Sequence, residues 1–317
     1  MAVYTVLSNS DVQTILDQYD LPALISYEGI WQGIENTNYR VLLKDKTIIL
    51  TLFEGRTDIS ALPFVLKYID QLDAHGLPVP SPLANQQNRT IGHYGAKSLI
   101  LVPFLEGKSA EPSDLDLCHN MGATLAEMHR ATEDYSAKRS NPLNLDGMQE
   151  LLDKLGPDLN QISDDLNAEL QDEMECLNRL CSLGLPECVI HTDLFPDNVL
   201  TSDSRVTGLI DFYFSGTDAF IYDLAVTLSA WSFDDDMGFS EQRHRAILAG
   251  YVFRRSLADN EKDALPVMLR RASLRFLLTR AQDWLKPPDK AFVDRKDPMD
   301  FLRRLRFYRE IGNLPGL

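Results

Sequence analysis

Apolar positions in the first hundred residues recur with two periods. Tyr39 to Leu43 is apolar-rich and stops at the polar triplet Lys44-Asp45-Lys46, after which Thr47 to Phe53 resumes the run. Two such runs around three polar residues predict a β-hairpin. From Ser60 the spacing lengthens: Leu62, Val65, Leu66, Ile69 and Leu72 recur at three and four, the period of an amphipathic helix, with Gly76 and Pro78 as its stop. Leu99 to Phe104 is an unbroken apolar run of strand length, ended by Glu106-Gly107. A boundary here divides the chain into 1–104, a small antiparallel sheet with one helix, and 105–317.

The second part is mainly helical. Ser113-Asp114-Leu115-Asp116 has the spacing of a capping box, and the helix it opens carries Leu117, Met121, Leu125 and Met128 on one face. Ala131 to about Gly156 is polar and poorly periodic, which predicts loops and short helices. Leu166, Leu170, Leu177 and Leu180 predict a helix with an acidic outer face. Val189 to Leu200 and Val206 to Phe212 read as short strands flanking polar turns, and the chain beyond Tyr222 as helix. The expected fold class is α+β, without internal repeats.

Composition narrows the function. The 317 residues carry a net charge of -16, which argues against a nucleic-acid surface or docking on anionic lipid. No stretch has the continuous apolar length of a membrane span, and Met1 to Thr5 lacks a secretory signal, so a cytoplasmic protein is expected. The four cysteines, Cys118, Cys176, Cys181 and Cys188, form no CxxC pair. Reduced thiols are expected rather than a zinc site. His75, His93, His119, His129 and His244 stand without partners at ligand spacing.

The chemistry is concentrated in His191-Thr192-Asp193-Leu194-Phe195-Pro196-Asp197-Asn198, which fits H-x-D-x-x-x-x-N, the catalytic-loop spacing of protein kinases. Phosphoryl transfer needs a carboxylate beside the attacking hydroxyl and an amide oxygen on a metal, and one tight loop can present both. An apolar strand follows, Gly208-Leu209-Ile210, and then Asp211-Phe212-Tyr213, in the order of the kinase Asp-Phe-Gly segment with Tyr213 in place of Gly. The loop and the strand-ending Asp211 predict one Mg²⁺ site. Upstream, Gly29 and Gly33 precede Asn36, Thr37 and Asn38; the glycines let backbone approach phosphates and the polar trio offers donors, although a plain turn has the same composition. Gly107-Lys108-Ser109 is not a P-loop, because the first glycine of that motif would fall at Val102, inside an apolar strand.

These segments resemble the aminoglycoside phosphotransferase-like kinases, which include choline and fructosamine kinases, and most of all the homoserine kinases of that fold. GIWQGIENTNYRV from Gly29, IILTLFEGR from Ile48, HTDLFPDNV from His191, GLIDFYFSGTDAFIYDLAVTLSAW from Gly208 and LRFLLTRAQDWL from Leu274 carry the likeness over nearly the whole chain. It implies the two-lobed protein-kinase-like fold, with a nucleotide-binding lobe and a catalytic lobe. It also implies transfer of the ATP γ-phosphate to the side-chain hydroxyl of L-homoserine in threonine synthesis. On this likeness Asp193 is the catalytic base, Asn198 and Asp211 hold Mg²⁺, and the Gly29-to-Tyr39 turn covers the phosphates. Backbone from Leu101 to Leu105, including Pro103, binds adenine. The chain departs from the pattern at the strand lysine, where Thr51 stands; Arg56 is the candidate substitute.

Homoserine carries an ammonium and a carboxylate, so its site calls for an acid and a guanidinium fork. Asp218 is the candidate for the ammonium. On one helix face lie Phe276, Arg280, Asp283 and Trp284, with Arg280 the candidate for the carboxylate and Arg275 next in line. Tyr213 and Trp231 can wall the pocket. Choline, an aminoglycoside, or nucleotide binding without catalysis remain the alternatives.

Overall fold

The computed structural model describes residues 5–30, 36–54, 58–180, 184–234, 236–286 and 295–312. Gly33 and Arg56 lie outside the described residues. The chain forms two compact units, the first running to Glu106 and the second from Gly107.

In the first unit, α1 (Asn9–Leu16) is followed by β1 (Leu24–Ile30), β2 (Thr37–Leu43), β3 (Thr47–Leu52), α2 (Leu62–Ala74), β4 (Gly92–Tyr94) and β5 (Lys97–Pro103). The strands make one antiparallel sheet in the order β1-β2-β3-β5-β4. The β2–β3 hairpin turns at residues 44–46, with Leu42 opposite Thr47. Alternation along the strands sends Tyr39, Val41, Leu43, Ile48, Leu50, Leu52, Leu99 and Leu101 into a core that α1 closes with Val12, Ile15 and Leu16. Helix α1 is an addition to the single helix expected in this unit. At eight residues its apolar stripe is short, but its Ser8/Asp11 capping box is a local start signal. Gly76, just past α2, sits at φ +77, a conformation open to glycine at little cost.

The second unit contains β6 (Lys108–Ser109), α3 (Leu115–Ala131), α4 (Leu145–Leu155), α5 (Leu166–Leu180), β7 (Glu187–Ile190), β8 (Val199–Ser202), β9 (Arg205–Leu209) and β10 (Gly216–Ala219), then α6 (Phe220–Trp231), α7 (Glu241–Arg254), α8 (Asp259–Leu285) and α9 (Met299–Ile311). Asp114, not Ser113, caps α3: its carboxylate accepts from the backbone N–H of Asp116 and Leu117. The stretch expected to hold loops and short helices contains α4, an 11-residue helix burying Met148, Leu151, Leu152 and Leu155. Helices α3 and α7 cross without a gap. A Cβ on Gly122 would stand 1.9 Å from the Ile247 carbonyl oxygen, and one on Gly250 equally close to that of His119. Helix α6 is buried along its whole length and packs on α8. Among the described residues no helix is long and apolar enough to cross a membrane.

Candidate active site

Two strand pairings bring the polar loops together. β7 pairs antiparallel with β10, Ile190 opposite Gly216, so the loop after β7 starts where the segment following β9 ends. The backbone N–H of Ile210 donates to the Asn198 carbonyl at 3.0 Å, which sets Asp211 beside the end of the catalytic loop. The site thus needs no continuous motif: strand registry joins His191–Asn198 to Asp211–Tyr213.

The loop is held in a demanding conformation. Thr192 lies at φ +69 and Asp211 at φ +66, the left-handed region that a β-branched residue such as Thr192 rarely adopts. Strain of this kind costs about 1–3 kcal/mol and persists where surrounding contacts over-determine it. Here they do. The backbone N–H groups of His191 and Thr192 donate to the two carboxylate oxygens of Asp223, at 3.0 and 2.7 Å, and the Thr192 hydroxyl donates to the Phe214 carbonyl at 3.1 Å. The buried His191 ring bonds the Ile210 carbonyl through Nε2 at 3.0 Å and accepts the Asp193 N–H at Nδ1. Burial pushes its pKa down, in keeping with this neutral tautomer.

Behind the loop runs a buried polar chain. Asp223 Oδ2 also faces His129 Nε2 at 3.2 Å, His129 Nδ1 meets the Tyr251 hydroxyl at 2.7 Å, and Tyr251 accepts from Arg255, which pairs with Glu261. Burial works to raise the Asp223 pKa, but the hydrogen bonds it accepts from His129 and from the His191 backbone outweigh it and hold the carboxyl below the usual range. Burial lowers that of His129. The pair is therefore a carboxylate accepting from a neutral imidazole, with Tyr251 donating to the ring's other nitrogen. Sequence spacing shows no partner for His129; Asp223 and Tyr251 lie 94 and 122 residues away and meet it only through tertiary packing.

Asp193 lies at the loop's exposed edge, its side chain 20% accessible. Asn198 donates through Nδ2 to the Asp193 carbonyl at 2.8 Å and to its Oδ2 at 3.2 Å. That fixes which way the amide faces and leaves its oxygen turned from Asp193. The amide oxygen of Asn198 and the carboxylate of Asp211 are hard donors of the number Mg²⁺ takes from a protein when substrate phosphates and water complete its shell. Among the described residues no group of three or more His, Cys, Asp or Glu side chains offers an all-protein metal cage. The residues present fit a Mg²⁺ shared with a nucleotide.

The arginines of α8 are engaged by buried or partly buried acids rather than by solvent. Arg270 grips Glu173 with Nε and Nη2, both at 2.8 Å, and Arg271 grips Asp218 at 3.0 and 2.6 Å. Arg275 reaches Asp193 Oδ1 at 3.1 Å through Nη1 alone. Arg280 bonds Asp300 and the Asp297 carbonyl, over the Phe301 ring. The arginine that touches the catalytic loop is therefore Arg275, one turn beyond the Arg271–Asp218 pair.

The remaining expected acceptor residues are dispersed. Asp218 is saturated: beyond Arg271 it accepts from Asn141 at 2.9 Å and from the Ala219 N–H at 2.8 Å, which leaves no lone pair aimed at an ammonium. Trp231 is wholly buried and donates from its indole to the Leu194 carbonyl at 3.0 Å, propping the loop instead of walling a pocket. Tyr213 is half-buried in a 3₁₀ turn beside Asp211. Asp283 is exposed near the end of α8.

In the first unit, Thr51 lies opposite Asn38 and donates to its side-chain oxygen at 2.7 Å. Thr37 is buried with its hydroxyl bonded to Glu54 at 2.8 Å, and Asn36 accepts the Glu54 N–H at 3.2 Å. These two side chains thus brace the strand ends. Glu54 also pairs with Lys97. By strand alternation Lys97 shares a face with Leu99 and Leu101, opposite Thr51, so it does not stand in for the missing lysine. Gly29 lies one residue before the end of β1, opposite Tyr39, and Pro103 and Leu105 bracket the end of β5.

Comparison with known proteins identifies the family. A model of the phosphotransferase enzyme family matches residues 26–257. A homoserine kinase of Rhizobium johnstonii is 40% identical over 311 residues, 98% of this chain and 97% of that one. Another, from Brucella anthropi, is 40% identical over 98% of this chain and 95% of its own. Among solved structures, the amicoumacin kinase hAmiN bound to AMP-PNP, Ca²⁺ and amicoumacin superposes with a TM-score of 0.73 at 15% identity, covering 97% of this chain and 95% of that one. A microcompartment-associated aminopropanol kinase does so with 0.73 at 19%, covering 98% and 99%. With the kinase-type loop, the adjoining Asp211 and full-length kinship all on one chain, this protein belongs to the phosphotransferase enzyme family, among its homoserine kinases.

Proposed function

We propose that the chain transfers the γ-phosphate of ATP to the side-chain hydroxyl of L-homoserine, giving O-phospho-L-homoserine for threonine synthesis. The observation that carries the reading is the strand-registered meeting of Asp193, Asn198 and Asp211 in a chain 40% identical to homoserine kinases. The hydroxyl oxygen bonds to the γ-phosphorus, the bond to the β–γ bridging oxygen breaks, ADP leaves, and the hydroxyl proton passes to the Asp193 carboxylate. Asn198 and Asp211 hold the Mg²⁺, which when bound offsets phosphate charge. Gly29, Asn38, Thr51, Pro103 and Leu105 belong to the nucleotide-binding unit; Thr51, with no charge, contributes a hydroxyl where related kinases place a lysine. The test is ATP- and Mg²⁺-dependent ADP release with L-homoserine, choline, L-serine and kanamycin. L-Homoserine should give the highest kcat/KM, and a higher value for any other acceptor would reject the assignment.

The arginine fork for the homoserine carboxylate is better supplied by Arg275 than by Arg280, since Arg275 already lies on Asp193. Arg275→Lys keeps the charge but loses the planar fork. Homoserine KM should rise roughly tenfold, the worth of one hydrogen bond to a charged group, while ATP KM stays unchanged. Arg280→Lys, altering a link between α8 and Asp300 on α9, should leave homoserine KM near that of wild type and lower the melting temperature. A homoserine KM that responded to Arg280→Lys and not to Arg275→Lys would reverse the assignment.

A further inference from the structure

Homoserine brings an ammonium, and Asp218, the acid expected to take it, has no lone pair to offer. The catalytic loop holds another acid. Asp197, four residues after Asp193, is exposed; its Oδ2 accepts from Lys296 Nζ at 3.0 Å, and its Oδ1 has no donor among the described residues. The same Lys296 ammonium stands 5.6 Å over the centroid of the Phe195 ring. That ring meets the Phe276 ring edge-on at 4.6 Å, and the Arg275 guanidinium lies 3.8 Å from the Phe276 centroid. Two linked aromatic rings therefore form a floor with a guanidinium at one end and a carboxylate at the other. Arg275 is only 4% exposed, and its Nε and Nη2 have no acceptor among the described residues. Each end of the floor thus has hydrogen-bonding capacity to spare.

We propose that Asp197 and the Phe195 ring form the subsite for the acceptor's ammonium, with Lys296 as its internal occupant when no acceptor is bound. The inference rests on the homoserine reading and names the residue that recognises the amino group. A primary alkylammonium on one carboxylate, over an aromatic ring, is the contact an α-amino acid can make, and the chain makes it with its own Lys296. Charge and the ring quadrupole both select a cation there. The Lys296 pair is easily given up: the two side chains are 51% and 58% exposed, and a surface ion pair of this kind is weak. Oδ1 is open to the incoming ammonium whether or not Lys296 stays on Oδ2. An acceptor already held by its hydroxyl at Asp193 and its carboxylate at Arg275 needs little further ordering to reach Asp197.

The probe is 4-hydroxybutyrate, which is homoserine with hydrogen in place of the amino group. In the unaltered enzyme homoserine should have the lower KM of the two. Asp197→Asn keeps the side chain's shape and loses its charge. It should raise homoserine KM roughly tenfold, the scale of one hydrogen bond to a charged group, and leave the KM values of 4-hydroxybutyrate and ATP unchanged. Lys296→Met should not raise homoserine KM. An equal rise for both acceptors in Asp197→Asn, or no rise for either, overturns the proposal. So does a rise in homoserine KM in Lys296→Met that matches Asp197→Asn, because Asp197 would then serve only to hold Lys296. If 4-hydroxybutyrate is not turned over, the homoserine and Lys296→Met arms decide by themselves. An unaltered enzyme that prefers choline, L-serine or kanamycin to homoserine rejects the homoserine reading, and this inference with it. A preference for homoserine whose KM Asp197→Asn leaves unchanged rejects the subsite alone.

Discussion

Asp193→Asn is expected to leave Mg²⁺·ATP binding nearly intact while turnover falls roughly 10²–10⁴-fold, the range for removal of a general acid–base group. The amide keeps an oxygen for Asn198 and the shape of the side chain; it loses the capacity to receive a proton and the oxygen that accepts from Arg275. Asp211→Asn should behave differently. It removes an anionic oxygen from the pair that fits Mg²⁺, a cation that prefers hard, charged donors, so nucleotide affinity and turnover should fall together. Raised Mg²⁺ should partly restore Asp211→Asn and leave Asp193→Asn unchanged. Calorimetric ATP binding and single-turnover rates at two Mg²⁺ concentrations separate the outcomes. Equal loss of ATP binding in both folded variants would refute this division of roles, and full activity in Asp193→Asn would remove the kinase-type loop from the mechanism.

Local signals carried the parts of this molecule that depend on local physics. The β2–β3 hairpin, α2, β5 and α3 each combine a clear period with a stop or start residue, and the observed elements lie within about two residues of the expected ones, the usual uncertainty of helix and strand ends. That Asp193 and Asn198 share one loop was legible because they stand only five positions apart; the hydrogen bond between them was not read from the sequence. What was not legible depends on registry. Helix α4 presents Met148, Leu151, Leu152 and Leu155 amid acidic and amide residues, so its stripe has few members. Helical spacing groups the acceptor residues on one face near the end of α8, but the helix is 27 residues long and engages different acids at each turn, so spacing alone cannot say which arginine meets Asp193. Trp231 illustrates the same limit. As an aromatic near the motif it suits a pocket wall, yet α6 is buried on every side and its indole finds the Leu194 carbonyl. Asp223 had one faint signal, a single acid within the otherwise uncharged run from Phe220 to Trp231. A buried charge in such a run requires partners that the sequence alone does not show.

Replacement of Asp223 should be the most damaging single change to the second unit. The side chain is wholly buried and accepts from the backbone N–H of His191, the backbone N–H of Thr192 and the His129 ring. Asp223→Ala leaves three buried donors without an acceptor and releases the contact that over-determines Thr192 at φ +69. Removing one side of a buried charged network costs about 3–5 kcal/mol, a drop in melting temperature on the order of 10 °C for a unit of this size. Turnover should be lost even where the variant remains folded, because the loop carrying Asp193 loses its backing. Asp223→Asn is the sharper test. It is nearly isosteric, but with its oxygen kept on His191 and His129 its amide N–H₂ faces the Thr192 N–H, donor against donor. The pH dependence has a definite sign. The folded pKa of Asp223 is depressed, so its contribution is present above the unfolded carboxyl value of about 4 and is lost as pH falls through the folded value. His129 and His191 are also depressed, by burial, and their uptake of protons favours the unfolded chain from about pH 6.5 downward. Wild type and Asp223→Asn share that histidine slope. Urea unfolding across the acid range should therefore show both losing stability below about pH 6.5, with the gap between them not narrowing until about pH 4. A gap that closes near pH 6 would mean that the histidines, and not the Asp223 carboxylate, hold the catalytic loop in place.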